Sequence, residues 1–173
     1  MLALLAAPAS HAQDNTFLVT DAGIGRLNAD TPYSVKGVSA ALNGLPVKAT
    51  TIYYGNIALS ALEAVRDGKR VLMAFKRSGG VNVSRATTYA PESVTSTGIA
   101  IGTPMSEVFD KLPEPSCRNG LERQAGLVFC PAPNLENIRF AFRCDYATRG
   151  DVLPPADVLA HCPLERIIWI SAE

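Results

Sequence analysis

The chain has 173 residues, enough for one ordinary domain or two small ones. Sixteen Lys and Arg balance sixteen Asp and Glu, so the formal net charge is zero with His neutral. That balance excludes the basic surplus of a nucleic-acid binder, and 47% hydrophobic with 18% charged residues excludes intrinsic disorder.

Met1 to Pro8 read MLALLAAP, followed by Ala9-Ser10-His11-Ala12. The apolar run and the small-x-small end predict an export signal over residues 1–12, cut after Ala12. One exported, periplasmic domain over residues 13–173 is then expected. The run is too short to span a bilayer, which needs about 20 apolar residues. No later segment reads as a membrane span, and no cysteine near the cut offers a lipid anchor.

Phe17-Leu18-Val19-Thr20 reads as a strand, and residues 21–25 as a glycine turn. Thr31-Pro32 predicts a helix start with Thr31 as its cap. Val35, Val38, Ala41 and Leu42 form its apolar face, and Asn43-Gly44 ends it. Residues 47–54 alternate loosely and carry β-branched and aromatic side chains, so they read as a strand. Residues 57–75 fit either a helix or strands. Asp67-Gly68 between apolar runs decides for a hairpin. Ser78-Gly79-Gly80 marks the next turn, with a strand over residues 81–89. Thr103-Pro104 predicts a second capped helix. Met105, Val108, Phe109 and Leu112 form its buried face, and Pro113 stops it. Residues 127–130 and 138–144 read as strands, Pro154-Pro155 as the start of a short third helix through Ala160, and residues 166–170 as a final buried strand. Tight turns join most strands. The expected fold is a single α+β domain with a mainly antiparallel sheet and two or three short helices.

Cys117, Cys130, Cys144 and Cys162 all fall in the last third. An even count in an exported chain predicts two disulfides. The gaps of 12, 13 and 17 residues contain no close pair of the zinc type and no C-x-x-C redox motif. Three pairings can be drawn. Local closure favours Cys117–Cys130 with Cys144–Cys162, each loop constraining the unfolded chain by about 3 kcal/mol.

Candidate chemistry is sparse. After cleavage the one histidine is His161, which reads as a surface residue beside a disulfide. Gly23-Ile24-Gly25 lacks the third glycine of a dinucleotide loop. No catalytic residue, cofactor or metal is expected. Two features suggest a binding surface: Ser84, Arg85 and Tyr89 on one strand and its exit, and Tyr53 with Tyr54 at a turn. Tyr and Arg are favoured at interaction hot spots.

Four pieces of the sequence carry a resemblance: FLVTDAGIGRLNADTPYSVKGVSAAL, GIAIGTPMSEVFDKL, the run Cys117…Gly120…Cys130-Pro131-Ala132-Pro133, and the closing IIW. Together they resemble the RpoE-regulated lipoprotein family (YfeY-like), over nearly all of residues 13–173. The resemblance implies a Gram-negative cell-envelope domain linked to envelope stress, with no catalytic residues to carry over. It takes in Cys117 and Cys130 as a couple and leaves Cys144 and Cys162 as a second. The family's lipid-attachment cysteine has no counterpart here. The expected function is non-enzymatic binding of an envelope protein or glycan. The alternatives are an inhibitor of a hydrolase such as lysozyme, with residues 84–89 as the plug, and a carboxylate-dependent hydrolase.

Overall fold

The computed structural model describes residues 17–146 and 152–172; the expected export signal lies outside them. The chain opens with β1 (Leu18–Thr20), β2 (Gly23–Ile24) and β3 (Leu27–Asn28), then α1 (Val35–Ala41). A meander follows: β4 (Val47–Tyr54), β5 (Ile57–Arg66), β6 (Lys69–Phe75) and β7 (Arg85–Thr88). Next come β8 (Val94–Thr95), α2 (Met105–Val108), β9 (Arg118–Asn119), β10 (Leu127–Pro131), β11 (Ile138–Arg143), α3 (Ala156–Ala160) and β12 (Leu164–Ile170). Two sheets result, ordered β3-β2-β1-β8 and β4-β5-β6-β7-β12-β11-β10-β9. All pairs of the larger sheet are antiparallel. The fold is thus the mainly antiparallel α+β domain expected; β1 with β8 adds one parallel pair.

Side chains alternate across a strand, so register decides which face each one serves. One row crosses five strands of the larger sheet as Leu62, Ala74, Ala86, Trp169 and Ile138. A second runs Leu72, Thr88, Ile167, Phe140 and Cys130. Every one of these residues is buried, and the rows form the floor of the main core. The small sheet and α1 cover them, contributing Val19, Ile24, Leu27, Val38 and Leu42. Asp21 fastens this cover. Its carbonyl accepts from Trp169 Nε1 at 2.9 Å, and its carboxylate accepts from the Asn137 amide at 2.9 Å.

The Asp67-Gly68 turn has φ of 52° and 73°, the doubly left-handed geometry of a two-residue hairpin. It joins β5 to β6 as expected. Both Thr-Pro helix starts are corrected. Thr31 does not cap α1; its hydroxyl accepts from the Asn28 amide at 3.0 Å and closes the preceding turn. Ser34 is the cap, accepting from the Gly37 amide at 3.0 Å. Gly37 is required there, because a Cβ would lie 2.5 Å from the Pro32 carbonyl. Val35, expected on the apolar face, is 45% exposed.

The second helix is shorter than the spacing suggests. Thr103 makes no cap, because its carbonyl accepts from Leu164 N and Pro104 bridges Pro163, holding the segment extended. α2 ends at Val108, and Phe109 turns extended so that its ring meets Phe142 edge-on at 6.1 Å. Of the expected face, Met105 is buried, while Val108, Phe109 and Leu112 are half-buried. The strand expected over residues 81–89 is confined to β7, and Val81 is exposed. The disulfides join Cys117 to Cys130 and Cys144 to Cys162, the pairing that local closure favours.

Candidate functional site

The second face of the larger sheet carries a different chemistry. Its central row reads Glu63, Met73, Thr87, Ile168 and Arg139, and the next reads Phe75, Arg85 and Ile170. A small apolar cluster of Ala61, Met73 and Phe75, with Ile52 and Tyr89 against it, sits on this face.

One cavity of about 70 Å³ opens here. Ile52 of β4 and Phe129 of β10 both line it. These strands are six steps apart in the sheet order. At about 4.8 Å per step, a flat sheet would hold them about 29 Å apart. The sheet therefore curls, and the cavity lies inside the curl.

Five apolar side chains line it: Ile52, Met73, Phe75, Phe129 and Ile168. The polar lining is Arg85, Thr87, Tyr89, Gln124 and Arg166. Arg85 lies over the Phe75 ring at 4.2 Å, a close cation–π contact, and is in no ion pair among the described residues. Arg166 lies 5.3 Å from the Tyr89 ring centre and donates to Glu165. Arg70 approaches the same ring at 5.9 Å, and the Tyr89 hydroxyl donates to Met73 Sδ at 3.7 Å. Burial pushes the Glu165 carboxyl up, but hydrogen bonds and charge from Arg143 and Arg166 prevail and hold it below the usual glutamate value. Arg85 is thus the cation of the cavity whose charge is not offset by a carboxylate.

Of the five residues expected to form a binding surface, Arg85 and Tyr89 meet in this cavity. Ser84 does not. Its amide donates to the Phe75 carbonyl and its carbonyl accepts from Ser171, and it lines a separate notch described below. Tyr53 is exposed on the pleat opposite Ile52, and the Tyr54 side chain lies outside the described set. His161 is exposed at the end of α3 beside the Cys144–Cys162 bridge. Met73, Phe129, Gln124 and Arg166 were not legible as site residues. Only the alternation of Met73 and Phe75 signalled a shared strand face.

Residues 84–89 run through β7, a central strand between β6 and β12. They cannot plug an enzyme cleft as a loop would. Among the described residues no group of three His, Cys, Asp or Glu could hold a metal ion. Among them, too, no helix is long and apolar enough to cross a membrane.

A family model described as "Protein of unknown function (DUF1131)" matches residues 6–171. The chain is 25% identical over 151 residues to the uncharacterized protein YfeY of Escherichia coli strain K12, spanning 87% of this chain and 78% of that one. The crystal structure of the uncharacterized protein yfeY from Escherichia coli superposes with a TM-score of 0.75 at 21% identity. The superposition covers 88% of this chain and 99% of that one, and it shows a shared fold.

Proposed function

The chain belongs to the DUF1131 family, and on that footing we propose a non-catalytic, exported envelope protein whose curled sheet binds an anionic group on an apolar ligand. One observation carries this reading: five apolar side chains and two arginines line one cavity that no carboxylate lines. An anion gains a charge-assisted hydrogen bond from Arg85 in partly desolvated surroundings. Its apolar flank gains contact with Phe75, Met73 and Ile168. A volume of about 70 Å³ takes a group of a few heavy atoms, so the cavity holds one end of a ligand. An envelope glycan or protein that presents a carboxylate or phosphate beside an apolar group fits that description.

Export is part of the proposal. Two disulfides suit an oxidising compartment. Mass spectrometry of the periplasmic protein should find Gln13 first; Met1 retained on cytoplasmic protein would contradict export. The link to envelope stress is a further expectation from the resemblance.

Calorimetric titration with butyrate tests the site. The expected dissociation constant is about 1 mM for so small a ligand. Butyramide, which lacks the charge, should bind at least tenfold more weakly, and Arg85→Gln should weaken butyrate by a similar factor, about 1.4 kcal/mol. Equal binding of acid and amide, or an Arg85→Gln protein that binds as wild type, would refute it.

A further inference from the structure

β5 runs past its inner partner. Its pairing with β6 stops at Leu62 opposite Ala74, whereas its pairing with β4 continues to Ile57. Residues 57–60 therefore have a strand on one side only. Among the described residues no backbone hydrogen bond joins them to anything but β4. An antiparallel strand sends alternate N–H and C=O groups to each side. This stretch thus presents open donors and acceptors, the feature that templates an added strand.

The chain leaves β6 after Phe75 and swings away through residues 76–80. Beside the bare edge lies a notch of about 660 Å³, within the range of ligand clefts. Leu59, Phe75 and Ile170 give it an apolar side; Lys76, Arg77 and Arg85 give it charge. Lys76 donates to the Gly80 carbonyl, and Arg77 donates to the Ser171 carbonyl. These bonds position both cations without neutralising them. No Asp or Glu lines the notch, and none of the three cations is in an ion pair among the described residues.

We propose that this notch takes an extended acidic peptide of a partner protein, which adds as a strand to the open edge of β5. The lining suits such a peptide: its apolar side chains meet Leu59, Phe75 and Ile170, with Arg85 on the same face beside Phe75, and its acidic side chains meet Lys76 and Arg77 at the border of the notch. The occupant continues the line that β6 abandons. The notch adjoins the cavity in the curl through Phe75 and Arg85 but does not depend on it.

The test uses a seven-residue peptide alternating glutamate with valine, followed by fluorescence polarisation and by amide hydrogen exchange on the whole protein. The peptide should bind, and exchange should slow at amides within residues 57–60. A lysine–valine peptide and an N-methylated glutamate–valine peptide should each bind at least tenfold more weakly. Lys76→Glu with Arg77→Glu should weaken the glutamate peptide by a similar factor while leaving butyrate binding unchanged. The proposal is overturned if the lysine or the N-methylated peptide binds as well. It is also overturned if binding leaves exchange at residues 57–60 unaltered, or if the free protein already dimerises through this edge.

Discussion

Glu63 is the only charged side chain buried among the described residues. It sits on the curled face, held by Arg70 at 2.6 Å and by Lys48 at 3.4 Å. Burial pushes its carboxyl up, but the hydrogen bond and charge of Arg70, with the charge of Lys48, outweigh burial. The carboxyl titrates below its ordinary 4.5. A carboxyl lowered in the folded state stabilises the fold above its unfolded value, and that stability is lost as pH falls through the folded value. Glu92, held by Arg66, and Glu165 act in the same direction. Urea midpoints should therefore drop as pH falls below about 4.5. Glu63→Gln should cost about 1–2 kcal/mol at pH 7, because both partners are partly exposed and screened. Its deficit should shrink on acidification; a constant deficit down to pH 3 would show that the pair does not set the pH dependence. None of this was legible in the sequence. The pairing of Lys48 with Glu63 and the β-bulge near Arg70 are matters of register, which composition and spacing do not reveal.

Among the elements, strands were read better than helices, and the reason is local. β4 is rich in β-branched and aromatic residues, and Asp67-Gly68 fixes the β5–β6 register through its own backbone geometry. Thr31 and Thr103 had the right chemistry for caps, but a local turn takes the Thr31 hydroxyl and a long-range bond from Leu164 holds the Thr103 backbone extended. Ser34→Ala should cost about 1 kcal/mol as a lost cap, and Thr103→Ala less than about 0.5 kcal/mol. The aromatic pair gives a sharper contrast. Phe142 is fully buried between Phe140 and Phe109. Phe142→Ala should cost about 3–5 kcal/mol. Phe109→Ala should cost clearly less, since its ring is only half-buried. Chemical denaturation of the two variants checks the order, and the reverse order would mean that α2 runs on past Phe109.

Across the whole molecule, two disulfides staple the half of the large sheet that is built last. Cys117–Cys130 ties the loop before β9 to β10, and Cys144–Cys162 ties the end of β11 to the approach to β12. Replacing Cys144 and Cys162 together by Ala should cost about 2–4 kcal/mol. This pairing was legible because each loop is local. The cavity was not, because its walls meet through long-range register: Thr87 pairs with Ile168, and the curl then brings Phe129 towards Ile52. Alternation told which residues share a strand face. It could not tell that this face turns inward. The most direct test of that curl, and of the anion site within it, is methyl NMR during a butyrate titration. A curled sheet with an anion site inside it requires that the methyls of Ile52, Met73 and Ile168 shift together along one binding curve, and that butyramide moves none of them appreciably. Shifts confined to β6 and β12 with Ile52 silent, or identical shifts with the amide, would contradict it.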